Sequence, residues 1–306
     1  MSLVDTNWLE NNLNNVKIID CSWHMPQTKR NGFAEYQKLH LENAIFFDLD
    51  KIKIIDCSWH MPQTKRNGFE EYQKQHIENA IFFDLDKNSK TETDLPHMLP
   101  DTKSWERIVS DMGIENEDQI IIYDNSDVIS SCRCWYNFIY FGHDPNLVHV
   151  LDGGLKKWII EKKPTVNNFT KTNSSNYIVN EKKELVKNKK QINENIVINE
   201  FKVIDARSRE RFEGKVPEPR KGLRSGSIKN SFCLPFSDLI NEDHTFVNKE
   251  KIIEKFKLTK CEFNKDIVFS CGSGVTASVL ALAYSLIDIK YMPTIYDGSW
   301  SEYGKN

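Results

Sequence analysis

Short apolar, β-branched runs ending in a polar residue recur along the chain, and they recur in pairs. The first pair is Ile54-Ile55-Asp56 and Val203-Ile204-Asp205. The second is Ile120-Ile121-Ile122-Tyr123-Asp124 and Ile267-Val268-Phe269-Ser270-Cys271. The third is Val148-His149-Val150-Leu151-Asp152-Gly153-Gly154 and Pro293-Thr294-Ile295-Tyr296-Asp297-Gly298. Strands buried on both faces need such uninterrupted apolar runs, so the pattern predicts parallel sheets covered by helices. From Asp56 to Asp124 to Asp152 the steps are 68 and 28 residues; from Asp205 to Cys271 to Asp297 they are 66 and 26. This matched spacing predicts two similar α/β domains, residues 1–162 and 201–306. Residues 163–200, rich in Asn and Lys, read as a linker with a short helix around Glu181 to Lys190.

A second, direct repeat overlies the first. Residues Val16–Lys51 recur as Ile52–Lys87 at an offset of 36, differing only at Val16/Ile52, Ala34/Glu70, Leu39/Gln75 and Leu41/Ile77. Two units are too few for a solenoid, so this is a duplication inside the first domain. Counted from Asp20 instead of Asp56, the first strand-to-strand step would be 104 residues. The second copy, 52–87, therefore fits the domain pattern, and the first copy, 16–51, is expected to be extruded after the opening helix. It carries Ile18, Ile19, Phe46 and Phe47, which need cover. Exposed strand edges invite pairing, so the insertion is expected to lower stability or promote exchange between molecules; the silent alternative is harmless peripheral packing.

Composition narrows the functional classes. With 306 residues, 39% hydrophobic and 28% charged, the chain is globular and large enough for two cores. A formal net charge of −3 gives no electrostatic reason to expect nucleic acid or an anionic membrane as partner. The start, Met1 to Trp8, lacks a basic segment and apolar run, and no stretch approaches the ~18 apolar residues of a membrane span. Seven cysteines, at 21, 57, 132, 134, 233, 261 and 271, are an odd number and read as reduced thiols, which implies a cytoplasmic location.

One cysteine stands apart. Cys271 ends an apolar strand and begins Cys271-Gly-Ser-Gly-Val-Thr-Ala277, which leads into an Ala- and Leu-rich helix. Gly272 and Gly274 let the backbone turn its amides inward, and such a nest at a helix N-terminus stabilises an anion. A thiol there is expected to react as a thiolate; the bland alternative is a small buried hydrophobe. Other loop chemistries match less well. No lysine follows the glycines as a phosphate-binding P-loop needs, and Ala277 stands where a cysteine phosphatase places its arginine. A dinucleotide fingerprint is matched in part, too near the C-terminus for the rest of its unit. Cys132 and Cys134 have neither the spacing nor the second ligand pair of a metal site and read as core thiols.

Cys271-Gly-Ser-Gly-Val-Thr-Ala277 and Tyr296-Asp-Gly-Ser-Trp300 closely resemble the tandem-domain sulfurtransferases, the rhodanese and 3-mercaptopyruvate sulfurtransferase family. The resemblance continues through Asp56-Cys-Ser-Trp59, Phe82-Phe-Asp-Leu-Asp86, His97-Met-Leu-Pro100, Leu151-Asp-Gly-Gly154, Asp205-Ala-Arg-Ser208, Arg211-Phe-Glu-Gly214 and Pro217-Glu-Pro-Arg220. It covers nearly the whole chain apart from the extra 36 residues, and implies two tandem rhodanese-like domains, each a mostly parallel sheet flanked by helices. The active cysteine is then only in the second, because Asp124 takes the place of Cys271 in the first.

What the family does becomes the expectation. Sulfur would pass from 3-mercaptopyruvate through a Cys271 persulfide to cyanide or a thiol acceptor such as thioredoxin, releasing pyruvate and needing no metal or organic cofactor. Family loops with basic residues go with thiosulfate as donor, whereas the small, neutral Gly272-Ser273 pair is similar to the mercaptopyruvate type. Arg211 and Arg220 match the substrate arginines, with Gly272, Gly274, Val275 and Thr276 completing the substrate-binding loop. Taken alone, each arginine reads as a surface residue paired to Glu210 or Glu218. Asp86, His97 and Ser273 match a family proton relay. The alternatives are a thiosulfate:cyanide sulfurtransferase and a non-catalytic sulfur carrier or binding module inactivated by the duplication.

Overall fold

The computed structural model describes the chain except residues 1, 2, 17, 23, 43, 47–50, 261–265, 289 and 306, so Phe47 and Cys261 lie outside the described residues. It divides into two compact units, Met1–Ile52 and Lys53–Asn306.

The first unit holds the first copy of the duplicated segment. Strands β1 (Ile18–Asp20) and β2 (Ala44–Phe46) pair in parallel, Ile19 opposite Ile45. The helix between them, Gly32–Lys38, is capped by the Asn31 side chain.

The second unit contains both sheets anticipated from the apolar runs. In the first half, β3 (Ile52–Asp56), β4 (Ala80–Phe82), β5 (Gln119–Tyr123) and β6 (Val148–Val150) lie in the order β4-β3-β5-β6. In the second, β7 (Val186–Lys187), β8 (Lys202–Asp205), β9 (Phe232–Cys233), β10 (Ile267–Ser270) and β11 (Ile295–Tyr296) lie in the order β7-β11-β10-β8-β9. Thus β3 corresponds to β8, β4 to β9, β5 to β10 and β6 to β11. The pairs β3/β4, β5/β6, β8/β9, β8/β10, β10/β11 and β7/β11 are all parallel.

The expected linker is shorter than 163–200. Val186–Lys187 adds an edge strand beside β11, and the helix lies at Lys189–Ile198 rather than around Glu181 to Lys190. The cause is local: Asn188 and Gln191 form a reciprocal capping box that starts the helix after Asn188. Ile192 then packs with Phe201, Val203 and Trp300 in a core of the second half.

The two halves share their main core. The helix Ser131–Tyr140 is buried along its whole length, as a helix apolar on most faces must be. It packs against the helix Val275–Ser285 of the second half, and Val128, Trp135 and Ile139 join Val275, Leu280 and Ala281 in one cluster. This seam sets residues of the first half beside the Cys271 loop.

The two copies of the duplicated segment show how identical sequence acquires different energetics. Their internal bonds are the same. Arg30 grips Glu35 at 2.8 and 2.7 Å and Arg66 grips Glu71 at 2.7 and 2.7 Å. The Tyr36 and Tyr72 hydroxyls donate to the carbonyls of Ala44 and Ala80. Yet β3 has β5 as a neighbour, with the Cys57 amide bonded to the Tyr123 carbonyl at 2.9 Å, and Ile55 is 0% exposed whereas Ile19 is 59% exposed. The ionisable groups diverge too. Hydrogen bonds from Ser22 hold the partly exposed Asp20 carboxyl below its usual range, while burial pushes its twin, Asp56, up to about 7.

That shift predicts a pH effect. A carboxyl with a raised folded-state pKa contributes its full stability below the unfolded value of ~3.9 and loses it as pH climbs through the folded value. Asp56→Asn removes the titration, so the melting temperature of the wild type is expected to fall relative to the variant between pH 4 and 8. The limiting slope is about 1.4 kcal/mol per pH unit. Calorimetry on both proteins checks this, and a pH-independent difference refutes it.

Candidate active site

Cys271 stands at the carboxyl end of β10, beside Asp205 at the end of β8. The chain leaves β8 toward β9 on one side of the sheet order and β10 toward β11 on the other, and the crevice at such a switch point is where open α/β sheets bind ligands. The loop is tied down from behind. The Cys271 amide donates to Ser299 Oγ at 3.2 Å, the Cys271 carbonyl accepts from the Trp300 amide at 2.9 Å, and the Gly272 carbonyl accepts from the Ser301 amide at 2.9 Å. Among the described residues, the amides of Gly272, Ser273 and Gly274 donate to no protein acceptor. They sit at the N-terminus of the helix Val275–Ser285, where unpaired N–H groups favour an anion.

Cys271 is only 1% exposed and packs on the core, yet it is one wall of a pocket of about 170 Å³. Gly272, Ser273, Val275, Thr276, Arg211 and Arg220 also line it. Both guanidinium groups stand over Gly272, where a Cβ would lie 3.4 Å from Arg211 Nη2 and from Arg220 Nη1. Their surroundings differ. Arg211 is paired with Glu218 at 2.6 Å, and Glu218 also holds the buried Arg207. Arg220 donates to Ser273 Oγ at 3.3 Å and makes no ion pair among the described residues. Burial lowers the Arg220 pKa below its ordinary value, and negative charge on Cys271 opposes that shift. A cation in a pocket beside a thiol, influenced by Glu218 and Asp86 but paired with neither, is a receptor for an anion.

Residues far apart in sequence complete the arrangement. His97 Nδ1 lies 2.9 Å from Ser273 Oγ, and His97 Nε2 lies 3.0 Å from Asp86 Oδ1. The Trp59 indole donates to the other Asp86 oxygen at 2.9 Å, and its ring meets the imidazole edge-on with centroids 4.6 Å apart. The hydrogen bond to His97 lowers the Asp86 pKa. Burial lowers that of His97, against the pull of Asp86. Burial thus favours the neutral imidazole. With Nε2–H donated to Asp86, Nδ1 is left to accept the Ser273 hydroxyl proton.

The rhodanese-like domain model matches residues 47–161 and again 182–306. The chain belongs to the rhodanese-like family. It is 37% identical to the mitochondrial thiosulfate/3-mercaptopyruvate sulfurtransferase 1 of Arabidopsis thaliana, covering 98% of this chain and 75% of that protein. It is 33% identical to the mouse 3-mercaptopyruvate sulfurtransferase, covering 94% and 84%. The crystal structure of SseA from Escherichia coli, described as the rhodanese fold of 3-mercaptopyruvate sulfotransferases, superposes with a TM-score of 0.74 at 26% identity, covering 96% and 97%.

Within this rhodanese-like framework, one residue of the anticipated loop sits elsewhere. Gly274 is not in the pocket wall. It is left-handed, at φ 81°, and a Cβ there would stand 2.6 Å from Arg133 Nη1, so its place is set by packing. Asp86 and His97 likewise do not line the pocket and reach it through Ser273 and Trp59, which do. The sequence reading missed Met61, Gln63 and Val128 in the wall, and missed Arg133, whose flanking cysteines drew the attention. In the first rhodanese-like half, Asp124 follows β5 as Cys271 follows β10, and the cavity beside it is only about 10 Å³. Among the described residues, no helix is long and apolar enough to cross a membrane.

Proposed function

We propose that Cys271 is the sulfur-carrying nucleophile of this sulfurtransferase and that 3-mercaptopyruvate is the donor its pocket suits best. The Cys271 sulfur attacks the thiol sulfur of the donor. The carbon–sulfur bond breaks, its electron pair leaves as the enolate of pyruvate, and the persulfide stays on Cys271. The donor's thiol proton passes through Ser273 to His97 and back to the enolate carbon, which yields pyruvate. Inward-facing loop amides stabilise the charge on sulfur in both states. A thiol acceptor, such as thioredoxin or a small thiol, or cyanide then removes the outer sulfur. The half containing Asp124 in place of a thiol carries no sulfur, and contributes the relay residues Asp86 and His97. A reducing, cytoplasmic compartment belongs to the same reading, and immunolocalisation tests it.

The observation that carries this reading is Arg220, a half-buried cation that makes no ion pair among the described residues, beside a thiol. A 2-oxo acid presents a single carboxylate to it. Thiosulfate, a dianion, asks for more positive charge than one free arginine and one already neutralised by Glu218, and the Gly272–Thr276 segment adds no basic side chain. The Arabidopsis relative's name includes thiosulfate, so that donor is the rival, and catalytic efficiency on the two donors separates them. An inactive binding module has less support, because every pocket residue lies outside the first copy. Arg220→Met is expected to raise KM for mercaptopyruvate about 10–100-fold, the worth of one hydrogen bond to a charged group. Arg211→Met should raise it less. An unchanged KM in the Arg220 variant counts against the reading.

A further inference from the structure

We propose that Arg133 is a positioning residue for proton movement at Cys271: it holds the backbone of His97 so that the imidazole meets Ser273. The inference rests on the relay described above. Arg133 lies on the helix Ser131–Tyr140 of the first half and is 0% exposed. Its Nη2 donates to the His97 carbonyl at 2.6 Å and to Asp297 Oδ1 at 2.6 Å. Asp297, in the second half and also buried, accepts the Leu99 amide on its other oxygen at 2.9 Å. The ion pair thus grips the chain on both sides of Met98, through the carbonyl before it and the amide after it.

His97 needs such a grip. Its φ of 61° is left-handed, an uncommon conformation for a residue other than glycine that persists only where the surroundings over-determine it. The same guanidinium touches the opposite partner of the relay. Arg133 Nη1 packs so closely on Gly274 that a Cβ there would stand 2.6 Å away, and Gly274 adjoins Ser273. One side chain therefore sets both ends of the His97–Ser273 bond, although it does not line the pocket.

A merely architectural role does not account for this arrangement. Arg133 Nε and Nη1 are buried and have no hydrogen-bond partner among the described residues. Taking a charge out of water and leaving two donors idle makes a poor joint, since well-packed apolar residues join buried surfaces as well or better. What an apolar pair lacks is the two bonds that Nη2 makes, to the His97 carbonyl and to Asp297.

The test compares Arg133→Met/Asp297→Asn with the wild type, His97→Asn and the combined triple variant. The double variant removes both buried charges together and leaves an amide oxygen for Leu99. Melting temperature, kcat and KM for mercaptopyruvate are measured for each. The expected result is a folded double variant with KM within twofold of wild type and kcat lowered at least tenfold. The triple variant should have the kcat of His97→Asn alone, because Arg133 acts through His97; effects that multiply would overturn the proposal. A double variant with wild-type kcat overturns it while leaving the relay intact, provided that His97→Asn is slow. If His97→Asn itself turns over normally, the relay falls and the proposal with it. Should the double variant fail to fold, Arg133→Lys, which keeps the charge but ends one bond short of the Nη2 position, takes its place: wild-type kcat in that folded protein overturns the inference.

Discussion

Replacing Cys271 with serine is expected to lower pyruvate release from mercaptopyruvate by more than about a thousandfold, as removal of a covalent nucleophile does. The fold should survive, because serine is close in size and the loop is held by backbone bonds to Ser299, Trp300 and Ser301 rather than by the thiol. Intact mass spectrometry after incubation with donor alone gives the complementary readout. The wild-type chain should gain one sulfur atom and the variant none. Cys21, exposed in the first unit, is the natural competitor for adventitious sulfur, so peptide mapping should accompany the intact mass. Turnover that persists without Cys271, or sulfur found only on another cysteine, would end the proposed mechanism.

The second large effect is an asymmetry between two residues with the same local sequence. Ile55→Ala should destabilise the protein by about 2–5 kcal/mol, the range for truncating a buried isoleucine. Ile19→Ala, on a side chain more than half exposed, should change stability by no more than ~0.5 kcal/mol. At about 2–4 °C per kcal/mol for a chain of this size class, calorimetry separates the two plainly. Equal, small effects would mean that the copies substitute for one another in the sheet, since either can then supply the buried strand. Equal, large effects would mean that Ile19 is buried in solution.

Much of the architecture is legible in the sequence. The paired apolar runs became β3 and β8, β5 and β10, β6 and β11, because strands buried on both faces tolerate few polar residues and so mark themselves. The two-residue strands β7 and β9 leave no such mark, and β7 falls within the linker-like stretch because a pairing that short is set by its neighbour. The Cys271 loop was legible for a local reason as well: strand, glycines and helix start are contiguous. Arg133 was not. Its neighbours in sequence are core residues, and its partners His97, Gly274 and Asp297 lie 36 or more residues away.

The amino-acid order by itself determined the strands, the inward-turning loop around Cys271 and the internal bonding of each duplicated segment, because these depend on side chains within a few residues of one another. Tertiary structure alone decided which arginine pairs with Glu218, how the titration of the two copies diverges, and that Arg133 reaches His97 and Asp297. The reason is that desolvation and charge compensation depend on what lies a few ångströms away in space. Asp20 and Asp56, alike in sequence and opposite in titration, show that difference within one chain.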